Sequence, residues 1–299
     1  MRYTHQNSGI LMKMTKCLAA LVAVFSLSVG VADARGLLDF ALPHHAEKKE
    51  YRSGSLGADE ALALYTAKQR QNSFEACADQ FPGNKPLDLA SVPVGMKPMA
   101  LCSNGFAVLY SQTSKTPVVV VERLSASRLR DAKGEERTNE FFVDPRIPTS
   151  GRAELSDYRS QQPAVDRGHL SPAADSADQH AMAQSFALSN MVPQDPSSNR
   201  KTWNKAEQDT RKYALRASGN VFVFSGPIFD EGHETVGKNN VWKPTRLFKL
   251  VYDEATGHAW AFVLPNAESL LTRPMDYATF VKMTGMRLLE GQRVTGSIS

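Results

Sequence analysis

The sequence predicts an α+β fold built on a largely antiparallel sheet. Five short runs rich in β-branched and aromatic residues recur between residues 105 and 264. Two of them, Arg246–Tyr252 and His258–Leu264, flank the turn segment Asp253-Glu254-Ala255-Thr256-Gly257 and read as a β-hairpin. The helix-forming stretches do not alternate regularly with the strands, as they would around a parallel sheet. Length and composition agree. A chain of 299 residues exceeds the roughly 100–200 expected of a single domain, so it makes one large domain or two small ones. An apolar share of 42% and a charged share of 22% are those of a globular protein and exclude collagen, coiled coil or general disorder.

The first 34 residues have the pattern of an export signal. Arg2, Lys13 and Lys16 precede the apolar run Cys17–Val31, and Ala32-Asp33-Ala34 offers a small-x-small cleavage site before Arg35. The run is shorter than the roughly 20 apolar residues of a membrane span. The expectation is a periplasmic or secreted protein with no stable membrane association once the signal is removed. Cleavage takes away three positive charges and one negative, lowering the net charge from +4 to +2. A nearly neutral protein must bind any polyanion through local groups rather than its overall field. Cleavage also removes Cys17 and leaves Cys77 and Cys102, which in an oxidising compartment most simply form one disulfide.

Residues 35–73 read as an exposed arm, with a short amphipathic helix from Asp59 to Gln71. His44-His45 has no further ligand close in sequence and reads as a solvated pair. A compact domain is expected over 74–299. It begins with a turn-rich segment around Pro82-Gly83-Asn84, Pro86, Pro93 and Pro98. Strands follow at Gly105–Ser111 and Pro117–Arg123. Lys133-Gly134 marks a turn, and Asn220–Phe224 forms a strand ending at Ser225-Gly226-Pro227. A helix over Met275–Leu289 closes the chain.

Two stretches carry chemistry. The first is Asp166-Arg167-Gly168-His169. Glycine beside histidine permits a tight turn or the close approach of a ligand. An imidazole can take up a proton near neutrality, and Arg167 is a permanent cation suited to phosphate or carboxylate. Together they suit activation of water beside an anionic substrate, although a structural Asp–Arg pair with a solvated histidine fits the tetrapeptide equally well. The second stretch runs from Asn190-Met191-Val192-Pro193-Gln194 into a helix begun at Pro196-Ser197-Ser198 and stopped at Gly219. On that helix Asn199, Trp203, Glu207 and Arg211 recur every four residues and form a drifting stripe. Trp203 reads as core, and Glu207–Arg211 could be no more than a surface pair. Asn199 with Glu207 also suits a hydrated Mg²⁺, which keeps several waters and needs only one or two protein oxygens. The sequence contains no HExxH, zinc-spaced Cys/His cluster, GxSxG elbow or P-loop. His180, His233 and His258 have no evident partners and read as surface or structural.

At these residues the chain resembles the DNA/RNA non-specific endonuclease family, of the Serratia nuclease and endonuclease G type. The resemblance rests on Asp166 to His169 (DRGH), Ser189 to Gln194, Asn199, Trp203 and Glu207 in this order and spacing. Upstream Asp144 to Pro148 and Ala153 to Arg159 add to it, as does downstream Phe224 to Pro227. It covers roughly residues 75–290 and is strongest over 137–227. It implies a ββα-metal core and a site in which His169 is the general base. It further implies that Asn199 ligates Mg²⁺, with Mn²⁺ as a substitute, and that Glu207 holds that metal's waters. Arg167 and Arg211 would then offset charge on the phosphate, and Asn190 would support the site and its transition state. Arg137 is a less securely aligned candidate for substrate contact. The implied activity is hydrolysis of phosphodiester bonds in DNA and RNA without sequence preference, and a homodimer is compatible with it. Two alternatives stay open on the sequence. One is a nucleotide pyrophosphatase or phosphodiesterase acting on small substrates. The other is a non-catalytic nucleic-acid-binding or uptake component.

Overall fold

The computed structural model describes residues 72–159 and 161–298. The expected signal, the arm with its helix over 59–71, and His44-His45 lie outside the described residues. In chain order come strands β1 (Pro98–Cys102), β2 (Ala107–Ser111) and β3 (Thr116–Leu124), helix α1 (Ala126–Asp131), β4 (Asp166–His169) and helix α2 (Gln179–Ser185). Strand β5 (Met191–Gln194) is followed by a π-helical turn over Ser198–Trp203, which leads into helix α3 (Asn204–Ala214). The remainder comprises β6 (Val221–Ile228), β7 (Thr235–Val236), β8 (Val241–Trp242), β9 (Arg246–Asp253), β10 (His258–Pro265), β11 (Met275–Asp276) and helix α4 (Tyr277–Thr284).

Seven strands form one sheet in the order β1-β2-β3-β6-β9-β10-β11, with every pairing antiparallel. The expected hairpin is β9–β10, closed at Gly257, whose φ of +74° suits glycine. Alternating side chains supply two buried faces. Val120 and Leu124 of β3, Val223 of β6 and Val251 of β9 face the layer that holds Trp203 and Ala206. Val119, Val121, Phe222, Phe224 and Leu250 face the opposite layer, where Phe74, Phe81 and Phe280 pack. The sheet is therefore apolar on both sides, and its strands read as near-continuous apolar runs. Proline enters two inner strands only where one neighbour is lacking. Pro117 precedes the β3–β6 pairing, which starts at Val120, and Pro227 follows its end at Ser225.

Several sequence expectations change in detail. Strand β1 begins at Pro98, the last proline of the segment expected to be turn-rich. Strand β6 does not end at Ser225-Gly226-Pro227 but continues to Ile228. Gly226 is required there because an added Cβ would lie 2.5 Å from the Val118 carbonyl and 2.6 Å from the Phe248 ring. The closing helix is shorter than Met275–Leu289. Met275 and Asp276 pair with β10, Asp276 caps α4 through Thr279 N, and Gly285 ends it with φ +74°. The disulfide Cys77–Cys102 is formed, with Cα atoms 5.6 Å apart, and ties the segment before the sheet to the end of β1.

Candidate active site

A second, two-stranded sheet carries the chemistry. Strand β4, the DRGH tetrapeptide, pairs antiparallel with β5, so that Arg167 lies opposite Pro193 and His169 opposite Met191. Period-2 alternation puts Arg167 and His169 on one face of β4. Gly168 is needed for packing rather than for a turn, since its backbone lies in a strand. An added Cβ would lie 2.0 Å from Gln194 Oε1 and 2.7 Å from Gln194 Cβ.

The chain around His169 is pinned on several sides. Trp203 Nε1 donates to the His169 carbonyl at 3.1 Å, joining the π-helical turn to β4. Beyond it, Leu170 N donates to the Asn190 carbonyl at 3.1 Å. Asn190 is fully buried; its Oδ1 accepts from Ser171 N, and its Nδ2 donates to the carbonyls of Ser171 and Ser185, each at 2.9 Å. The Ser171 hydroxyl donates to Glu122 Oε2 at 2.9 Å. The upstream motif residues also brace this region. Asp144 takes Arg146 Nε at 2.8 Å, Arg146 Nη2 at 2.6 Å and the Ser189 hydroxyl at 2.5 Å.

The His169 imidazole sits against Phe186 and Phe141, with ring centroids 5.0 and 5.7 Å away. Arg167 stacks over Phe141 at 3.9 Å and Arg137 over Phe186 at 4.9 Å. Burial, reinforced by these two guanidiniums, pushes the His169 pKa down to about 3. The ring is thus held in its neutral form at physiological pH. Its Nε2 is buried and makes no hydrogen bond among the described residues.

Asn199 lies on the π-helical turn, a distortion that often marks functional positions. Its Nδ2 donates to Asp166 Oδ2 at 2.9 Å, and Arg200 clamps the same carboxylate at 2.7 and 2.9 Å. Because a carboxylate accepts only N–H here, the Asn199 amide oxygen is turned the other way. Two turns on, Glu207 is half-buried, and burial pushes its pKa up to about 7 against the pull of Lys249. Lys249 is itself buried from β9; it donates to the Ser225 hydroxyl at 2.7 Å and lies 4.7 Å from the Trp203 ring centre.

His169, Asn199, Glu207, Arg167 and Arg211 all line one cleft of about 580 Å³. Arg211 does not pair with Glu207; its Nε donates to the buried Asp175 at 2.5 Å, which fixes the guanidinium at the cleft wall. Asn190, expected among the catalytic groups, is not among the residues that line the cleft; its side chain makes three hydrogen bonds beneath the His169 segment. The wider π-helical turn also divides the expected stripe: Trp203 enters the core while Asn199 and Glu207 face the cleft. Sequence reasoning assigned no role to Asp166 toward Asn199, to Asp175, or to the Phe141–Phe186 pair. Asp166 stood in the quoted motif, but no local signal joins it to a residue 33 positions further on. Of the other histidines, His180 is exposed, His233 packs on Trp242 at 4.2 Å, and His258 is half-buried.

The donors suit a hard cation. The Asn199 amide and the Glu207 carboxyl offer side-chain oxygens from residues that line one cleft. No group of three His, Cys, Asp or Glu residues able to hold a metal exists among the described residues. A pair of oxygens without a full protein cage fits an ion that retains most of its water, as Mg²⁺ does.

A histidine on a two-stranded ribbon, facing a side-chain amide on the following helix, defines the ββα type of site within an α+β fold. Comparison with known proteins agrees. Residues 84–293 match the DNA/RNA non-specific endonuclease family, and the chain belongs to that family. Among similar proteins, the human mitochondrial endonuclease G is 35% identical over 176 residues, 54% of this chain and 58% of its own length. The mitochondrial nuclease EXOG of Danio rerio is 36% identical over 174 residues, 53% of this chain and 50% of its own length. The matches thus span little more than half of those relatives. In fold, the chain is similar to one in the crystal structure of the EndoG/EndoGI complex, with a TM-score of 0.58 and 23% identity, over 66% of this chain and 89% of that one.

Proposed function

We propose that this protein is a Mg²⁺-dependent endonuclease that hydrolyses phosphodiester bonds of DNA and RNA without reading sequence, with Mn²⁺ able to substitute. The observation that carries the reading is the convergence of a neutral, buried imidazole, an oriented amide oxygen and two guanidiniums on one cleft. His169 takes a proton from water as the water oxygen forms its bond to phosphorus; the bond to the 3′-oxygen breaks, and the leaving alkoxide takes a proton from solvent water to become the 3′-hydroxyl. Arg167 and Arg211 offset the charge that grows on the nonbridging oxygens. Asn199, and Glu207 through water, would hold a divalent ion, which would add positive charge beside the phosphate. Asn190, Trp203 and Ser171 hold the backbone that fixes His169 in this relation. Contacts of this kind address phosphate and sugar, which supports one activity on both nucleic acids.

We further propose that the catalytic domain begins near Phe74 and that the protein is exported. The Cys77–Cys102 bridge supports export, because disulfides persist in oxidising compartments. Among the described residues no helix is long and apolar enough to cross a membrane. Digestion of plasmid DNA and of RNA, each with Mg²⁺ and with EDTA, tests the activity. Cleavage of both substrates only with the metal is expected. Activity confined to a small chromogenic diester, or DNA binding with no cleavage in Mg²⁺ or Mn²⁺, would overturn it.

A further inference from the structure

Beside the catalytic cleft lies a second depression, of about 550 Å³, between the end of α1 and the C-terminal half of α3. The two are continuous, because Arg137, Ala173, Ala174 and Arg211 line both. The floor of the second is aliphatic and includes Leu129, Met182 and Leu215, the last 42% exposed. Its rim is cationic. Arg130 and Lys133 are exposed and form no ion pair among the described residues; Arg137, and Arg211 paired with the buried Asp175, complete the rim, and Glu135 is the acidic residue of the lining.

An aliphatic floor between cations is matched to an unpaired nucleic-acid strand. Sugar and base faces can rest on the floor while phosphates meet the rim. The proposed cleavage uses one phosphate and leaves the neighbouring nucleotides without an assigned seat. We infer that this depression is a single-strand subsite, holding the nucleotides that flank the scissile phosphate on the α1 side. The inference deepens the nuclease reading and rests on it for the position of the scissile phosphate.

The test compares the wild type with the Arg130→Gln/Lys133→Gln double variant and with Leu215→Asp. Binding of a fluorescein-labelled oligothymidylate of about twelve nucleotides is measured by anisotropy in EDTA across a salt series. Hydrolysis of a small nitrophenyl phosphodiester is measured with Mg²⁺. The double variant is expected to bind the oligonucleotide at least about fivefold more weakly, with the slope of log affinity against log salt smaller by about 1.4, the share of two phosphate contacts on a single strand. Leu215→Asp is expected to weaken binding at least about threefold, and both variants should keep wild-type turnover of the small diester. Unchanged oligonucleotide affinity and slope would overturn the subsite. So would an equal loss on the small diester, or an equal loss for an oligonucleotide already paired with its complement. A wild type that binds the oligonucleotide but cuts nothing would overturn the nuclease reading and leave the subsite standing. A wild type that does not bind would overturn both.

Discussion

Asn199 Nδ2 stands 2.9 Å from Asp166 Oδ2, so the first residue of the DRGH tetrapeptide orients an amide 33 positions further along the chain. Partners that fix a metal ligand in this way typically change metal affinity 10–100-fold when removed. Asp166→Ala is therefore expected to raise the Mg²⁺ concentration for half-maximal activity by about that factor, with a smaller change in turnover at saturating metal. A metal titration by calorimetry or by activity checks this. An unchanged metal requirement would remove Asp166 from the role and weaken the placement of Asn199.

Gly168→Ala sets a methyl group against the Gln194 side chain, whose Oε1 lies 2.0 Å from the added carbon. Overpacking of this kind costs about 1–3 kcal/mol. Gln194→Gly in the same chain removes both the amide and the Cβ, which would lie 2.7 Å away, so the double variant is expected to recover part of the lost stability. Chemical denaturation of the four proteins reads the coupling. Additive losses would mean that another constraint selects glycine.

Much of the fold was legible because buried strands announce themselves by composition. NVFVF, RLFKLVY and HAWAFVL are apolar on both faces, and the sheet is buried on both. The site motif was legible as residues but not as a network. Nothing local in RLFKLVY says that Lys249 reaches Ser225 and Trp203, or in PVVVVER that Glu122 takes a hydrogen bond from Ser171. Those contacts depend on strand order, which brings β3, β6 and β9 together although 97 and more residues separate the paired members of β3 and β6 (221 − 124 = 97 for Leu124 and Val221). The π-helical turn was hidden for a different reason. A four-residue repeat is read as α-helix, and the wider turn that sends Trp203 inward while Asn199 faces the cleft leaves no mark in composition.

The buried His169 also sets a pH dependence of stability. Its pKa is pushed down from 6.5 to about 3, so between these values the unfolded chain takes up a proton that the folded protein excludes. Stability therefore falls as pH drops through this window, by about 2 kcal/mol at about pH 5 from this residue alone. Glu122 and Glu207, raised to about 8 and about 7, act with the opposite sign, since the folded protein holds their protons above the ordinary carboxylate range. The difference between the wild type and His169→Gln isolates the imidazole. From about pH 7 to 5 the metal-free wild type is expected to lose about 4–8 °C more in Tm than the variant. Parallel melting curves would contradict a buried neutral ring.

Reduction of Cys77–Cys102 reopens a loop with a sequence separation of 25. The chain-entropy relation gives about 3.5 kcal/mol for a loop of this size. The Cys77→Ser/Cys102→Ser variant is expected to lose about that much in denaturant unfolding while keeping its cleavage rate, because the bridge lies away from the cleft. A variant as stable as the wild type would show that the bridge contributes nothing. Loss of activity at full stability would tie it to the site.

The central claim is that a neutral His169 and a cation on Asn199 act on one phosphate. The most direct measurement is the turnover of His169→Ala on plasmid DNA at saturating Mg²⁺, together with its Mg²⁺ affinity. A fall in kcat on the order of 10³-fold, with metal affinity unchanged, is expected if the imidazole is the general base. Turnover close to that of the wild type would contradict it.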